Sequence, residues 1–276
     1  MRPSVLVRRL TLLGTVVALM AIALPGSALA RDSRAGACIN GKMLAGTYRD
    51  FTVTGTCVVA YGAKVHIKGD LTVSAGASLN DHGAEQWMQA EIHISGDVHV
   101  GKGAVLGLGW NSPQGEGSLG PDTVGGNIEA NRPLALQVGG ITVGGDVVSV
   151  GGGVMSTSAA DFRNFPVKDN VVHGNLVITG WRGGWIGLIR NRVDGTVVFA
   201  RNVSASSDAG PGTDADSSEV MGSDLSSVGG PTIPQTIGGN LVCLGNVPAA
   251  HVNPGDYGAK SVVAGKAIGE CAGLTQ

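Results

Sequence analysis

The chain has 276 residues, 46 of them glycine, with aromatic residues at 4% and charged residues at 14%. This much glycine excludes a helical protein, since each interior Gly costs about 0.5–1 kcal/mol in a helix relative to Ala, and the lack of a Gly-X-Y period excludes collagen. Hydrophobic residues at 43% can fill a core, and a net charge of −2 with no basic patch argues against a nucleic-acid partner.

Residues 1–30 read as a secretory signal peptide. Arg2, Arg8 and Arg9 form a positive start, an apolar run extends from Leu10 to about Leu24, Pro25 breaks it, and Ala28-Leu29-Ala30 is a small-x-small cleavage site. The run is short for a membrane span. The remaining 31–276 reads as one domain, with 16 Lys and Arg against 21 Asp and Glu. No transmembrane span is expected after cleavage, and the expected location is outside the cell or in its envelope.

Residues 31–46 read as a lead-in. From Thr47 an alternating pattern begins, with Gly55, Gly62, Gly69 and Gly76 marking corners seven residues apart. One phrase then recurs: Gly69-Asp70-Leu71-Thr72-Val73, Gly96-Asp97-Val98-His99-Val100, Gly145-Asp146-Val147-Val148, Gly174-Asn175-Leu176-Val177-Ile178, Gly195-Thr196-Val197-Val198-Phe199 and Gly239-Asn240-Leu241-Val242-Cys243. Each copy reads as a turn followed by a short strand, because Asp and Asn bond back to the backbone at bends and β-branched alternation suits a pleated surface. Successive copies lie 27, 49, 29, 21 and 44 residues apart. The two long gaps suggest weaker copies at Gly126-Asn127-Ile128 and at Gly222-Ser223-Asp224-Leu225. A period in the twenties without intervening helices predicts an all-β, single-domain parallel β-helix (β-solenoid), with rungs over about 47–271. An antiparallel sandwich or barrel is the alternative.

Three breaks interrupt the rungs, over 80–90, 109–125 and 155–169. The stretch 204–236, rich in Ser, Asp, Gly and Pro, reads as a mobile loop. The last rung is 237–244, followed by a tail through Val262-Val263.

All four cysteines lie beyond the signal, and an even number in an exported chain implies disulfides. They separate into a pair near each end, predicting Cys38–Cys57 and Cys243–Cys271 as caps over the raw solenoid ends.

Two clusters are candidate sites. Trp181 and Trp185, with Arg182, Arg190 and Arg192 nearby, could form an aromatic platform beside guanidinium groups, as a sugar-binding groove needs. The alternative packs the Trp in the core and sets the Arg residues on a solvent face. Asp208, Asp214, Asp216 and Glu219 offer hard oxygen ligands for calcium, although their spacing matches no EF-hand and the alternative is a solvated acidic loop. The six His fall on rungs or turns, and no nucleophile elbow, phosphate loop or HExxH occurs, so no residue is assigned a catalytic role.

The rungs resemble those of right-handed parallel β-helix proteins, and the Gly-x-Leu-x-Val cadence is similar to bactofilin-type polymer-forming solenoids. The layout from about 45 to 271 looks like secreted bacterial proteins ending in Gly-Asn-Leu-x-Cys-x-Gly-Asn and a final Cys, here Gly239 to Asn246 and Cys271. Polygalacturonase-type enzymes carry Asn-x-Asp, Asp-Asp, Gly-His-Gly and Arg-x-Lys, none of which occurs. A pectate-lyase-like resemblance would cast Asp208, Asp214 or Asp216 with Arg190 or Arg192 as calcium ligands and base. The expected function is therefore a secreted, non-catalytic solenoid binding a polysaccharide or a surface protein, with self-assembly as a further expectation. The alternative is a lyase or hydrolase acting on an acidic polysaccharide. A third reading, binding to ice or mineral through Thr52, Thr54, Thr56 and Thr72, ranks last because the Thr residues do not recur at one position.

Overall fold

The computed structural model describes residues 35–81, 90–109, 122–154, 165–184, 186–204, 218–221, 234–252 and 261–275. All of them belong to one compact unit, Ser33–Gln276. The predicted signal peptide lies outside the described residues.

Short strands of Val, Ile and Leu alternate with polar residues, so each strand buries one side only. The chain meets this constraint by coiling. Each turn contributes one strand to each of three sheets, and every strand pairs in parallel with its equivalents in the neighbouring turns. Face I runs from Lys42–Met43 to His251–Val252, face II from Gly46–Tyr48 to Val262–Val263, and face III from Phe51–Val53 to Ala267–Gly269. Each holds nine strands among the described residues. A two-stranded fourth side, Arg182–Gly183 with Val203–Ser204, widens the corner after face III. The architecture is the predicted parallel β-helix.

Like stacks on like inside. On face III, Leu71, Val98, Ile128, Val147, Leu176, Val197 and Leu241 stand in register and are fully buried.

The phrase glycine has a different cause from a turn's need for positive φ. These glycines take ordinary φ values, and what they supply is closeness between turns. A Cβ on Gly96, Gly126, Gly145 or Gly174 would collide with the side-chain oxygen of Asp70, Asp97, Asn127 or Asp146 in the preceding turn. That oxygen accepts a hydrogen bond from the backbone N–H following the glycine. Asp97 N–H donates to Asp70 at 2.9 Å, Asn127 to Asp97 at 2.6 Å, Asp146 to Asn127 at 2.8 Å and Asn175 to Asp146 at 2.6 Å. The row continues through Thr196, Asn240 and Lys266. Beside it the glycines bond to one another, each N–H donating to the preceding glycine's carbonyl, as from Gly145 to Gly126 at 2.9 Å.

Both disulfides form as predicted, Cys38–Cys57 and Cys243–Cys271. Cys57 and Cys243 point into the core of the second and the penultimate turns, and Cys38 and Cys271 close over them from outside the strands. At the carboxyl end, Glu270 accepts from the N–H groups of Asn246 at 2.9 Å and Ala250 at 3.0 Å. Burial pushes its carboxyl up, but the hydrogen bonds from Ala250 and Asn246 prevail and hold it below its usual range.

Several boundaries differ from the sequence reading. The lead-in contains strand Lys42–Met43, because its alternation is too short to register as a pattern. The second and third breaks contain strands Thr123–Val124 and Phe165–Lys168. The stretch 204–236 is not one loop, since Ser218–Met221 joins face I and Thr236–Ile237 joins face II. The 44-residue gap accordingly holds one turn, not two, because Val197–Ala200 pairs directly with Leu241–Leu244. A further turn follows the expected last rung, through His251–Val252, Val262–Val263 and Ala267–Gly269.

If closeness between turns is what the phrase glycine supplies, Gly145→Ala will lower unfolding stability by about 1–3 kcal/mol. Gly55→Ala, where a Cβ meets nothing within 4 Å, will change it by less than about 0.5 kcal/mol. Urea unfolding of the two variants measures the difference.

Candidate functional site

The outward side of each face carries whatever the core does not need. Face III presents Thr72, His99, Glu129 and Val148 at one register position of four successive turns. With Ser74, Asn131 and Val150 they line an open groove of about 780 Å³. His99 Nδ1 stands 3.5 Å from Glu129 Oε2 across adjoining turns, and both side chains are about half exposed. The groove thus combines an aliphatic wall with a hydroxyl, an imidazole, a carboxylate and an amide, which can sort a ligand by hydrogen bonds while covering an apolar surface.

The five residues of the predicted platform separate. Trp181 is the largest fully buried side chain, and the backbone N–H of the residue donates to Asn202 Oδ1 at 2.9 Å. Its ring is core and presents no face to a ligand. Trp185 lies outside the described residues. Arg182 is exposed on the fourth side. Arg190 is buried and grips Asp169 with two hydrogen bonds, Nε to Oδ1 at 2.6 Å and Nη2 to Oδ2 at 2.8 Å. Arg192 is on face II, 3.3 Å from Asp194. Of the acidic cluster, Asp208, Asp214 and Asp216 lie outside the described residues, as does the side chain of Glu219, whose strand belongs to face I. Among the described residues no group of three or more His, Cys, Asp or Glu could hold a metal ion.

Face II brings together residues that the sequence keeps apart. His173 Nδ1 lies 2.7 Å from Asp194 Oδ2, and Arg192 approaches the other oxygen. His93 lies between Glu91 at 2.9 Å and Thr123 at 2.9 Å, and Lys64 reaches Glu91 at 2.7 Å. Both carboxyls are held below the usual range. For Asp194 the main cause is the His173 hydrogen bond, aided by Arg192. For Glu91 it is the Lys64 hydrogen bond, then that of His93.

Sequence reasoning also missed two buried amide ladders. In one, Asn170 Oδ1 accepts from Ile141 N–H at 3.1 Å, Asn191 Oδ1 from Asn170 N–H at 3.2 Å, and Gln235 Oε1 from Asn191 N–H at 3.4 Å. In the other, Asn202 accepts from Trp181, Asn246 from Asn202 at 3.1 Å, and Glu270 from Asn246. A signal for the first exists. Asp122, Asn170, Asn191, Gln235 and Ser261 each stand four residues before a glycine that opens a turn of face III.

The fold class is thus a disulfide-capped parallel β-helix. No family model, curated protein or solved structure matches the chain. The two disulfides indicate an oxidising environment, and among the described residues no helix is long and apolar enough to cross a membrane.

Two predictions follow from these ion pairs. Arg190→Met leaves Asp169 as a buried, unpaired carboxylate and will cost about 3–5 kcal/mol in chemical unfolding. Asp194 and Glu91 titrate below their unfolded values, so their stabilisation is present at neutral pH and lost as acid protonates them. The thermal midpoint will therefore fall as pH drops below about 4. The fall will shrink in high salt, since both pairs are exposed, and His173→Asn will flatten part of it.

Proposed function

We propose that this chain is an exported, non-catalytic β-solenoid that binds a polymer or a protein partner at the cell surface or in the surrounding matrix. One observation carries the reading. The outward side of face III holds an open groove in which Thr72, His99, Glu129 and Asn131 stand beside Val148 and Val150. A groove running across turns suits an extended ligand, because equivalent side chains recur at the strand spacing of about 4.8 Å. The two end-capping disulfides support an extracellular or envelope location. The secreted bacterial β-helix proteins described above, with bactofilin-like or pectate-lyase-like rungs, are the relatives to which this reading points.

The alternative, a polysaccharide lyase or hydrolase, finds its nearest material in His173, Asp194 and Arg192 on face II. That group has a single carboxylate, whereas most glycoside hydrolases use two.

The test incubates the purified protein with acidic and neutral polysaccharides, with and without calcium. Retention on the polymer and new reducing or unsaturated ends are both measured. The expected result is retention without cleavage, weakened about tenfold by the double variant His99→Ala and Glu129→Ala. Cleavage would overturn the binding reading in favour of the enzyme. Absence of both would leave a purely structural or protein-binding role.

A further inference from the structure

Face III changes character along its length. The outward position that holds Thr72, His99 and Glu129 in the early turns becomes Val148, Val177, Val198, Val242 and Ile268 in the later ones. The next outward position, two residues on, carries Val150, Thr179, Ala200 and Leu244. No charged residue stands at either position from Val148 to Ile268; two residues past Ile268 comes Glu270, whose carboxylate accepts from Asn246 and Ala250. Val150 is 51% exposed, Leu244 48% and Ile268 40%, so this side of the sheet is open. At about 4.8 Å per turn the stripe extends some 20 Å, which makes it a contiguous apolar patch of the kind that marks an interaction surface.

Cations border the stripe. The corner directly after face III carries Lys102 and Arg132 on the two turns that precede the stripe, Gly151 and Gly180 at the equivalent place in the next two, and Arg201 beside the stripe itself, while Arg182 projects from the fourth side between Arg132 and Arg201. All four are exposed, and none forms an ion pair with a described residue. The glycines of the following turns make room for two of the stems. Arg132 Cγ lies 2.9 Å from where a Cβ of Gly151 would stand, and Arg201 Cγ lies 3.9 Å from that of Gly245. Arg132 and Arg201 hold φ of 48° and 56°, a left-handed backbone that turns the chain there. The cations are therefore part of how the corner is built.

We infer that the later turns of face III form a docking surface for an anionic lipid leaflet, with the valine stripe against the acyl boundary and the guanidinium groups on headgroup phosphates. The occupant follows from charge and shape. Exposed guanidinium groups that form no ion pair with a described residue, set beside a flat aliphatic strip, complement a surface that is at once anionic and apolar. A carbohydrate offers no match to a strip of Val without aromatic rings. The surface shares Val148 and Val150 with the groove but not His99 and Glu129, so replacing those two tests the polymer-binding reading separately.

Vesicle sedimentation tests it, using purified protein that begins at residue 31 and has both disulfides formed. The vesicles are phosphatidylcholine alone or phosphatidylcholine with phosphatidylglycerol. The protein is expected to sediment with the anionic vesicles and to stay in solution with the neutral ones. Arg182→Glu with Arg201→Glu will lower partitioning at least about tenfold. The isosteric pair Val177→Thr with Val198→Thr, outward-facing and harmless to the core, will also lower it severalfold. Unchanged far-ultraviolet circular dichroism and melting will show that both variants fold. Failure to sediment with anionic vesicles overturns the proposal. So does sedimentation that the Val→Thr pair leaves intact, since that would be charge attraction alone. Capture of the protein by polyglutamate but not by vesicles would likewise overturn it, in favour of an acidic protein partner.

Discussion

The structure depends on one contact, the seating of an Asp or Asn side chain against the glycine of the next turn. At a corner the chain leaves the sheet, and its peptide N–H groups lose their strand partners. A buried or half-buried donor left unpaired is costly. The side-chain oxygen of Asp70, Asp97, Asn127, Asp146 and Asn175 supplies the acceptor in each successive turn. It can approach only because the residue above it lacks a Cβ. Glycine and Asx are therefore one device in two parts, and repeating them keeps the three sheets in register.

The two inner ladders run with the opposite polarity. In the outer row the earlier turn accepts from the later; in the rows through Asn170 and Asn191, and through Asn202 and Asn246, the later turn accepts from the earlier. The corners of one turn are thus tied both upward and downward. The Asp169–Arg190 pair adds a charged clasp at a corner where both residues take left-handed backbone, with φ of 62° and 55°. Because the corners carry these bonds, the outward sides of the strands take little part in holding the fold. They can vary from Thr and His to Val along a single column without disturbing the stack.

That division explains what was legible. The Gly-Asx phrase, the alternation and the cysteine positions all answer to the stack itself, and they predicted the architecture and both disulfides. Strands of two residues, such as Thr123–Val124 and Thr236–Ile237, were hidden because two residues cannot display a period. The Trp181 and Arg190 pattern misled for a related reason. Their sequence proximity resembles a surface platform, but a turn of about twenty residues sends neighbours to different sides, one ring into the core and one guanidinium onto Asp169. His173 and Asp194 meet for the same reason in reverse, being one turn apart. The inner amides of the Asn170–Asn191 ladder were readable only by counting back four residues from each glycine.

Neither disulfide spans the middle of the stack; each closes over its own end, across 19 and 28 residues. The interior turns are joined to their neighbours by equivalent bonds, so the turn that begins at Gly174 and the one that begins at Gly195 present nearly interchangeable upper and lower surfaces. A whole turn can then be gained or lost by duplication or excision between matching glycines, with the ends untouched. Length in this architecture is a variable that evolution can adjust in units of one turn, and with it the reach of whatever surface the outer columns display.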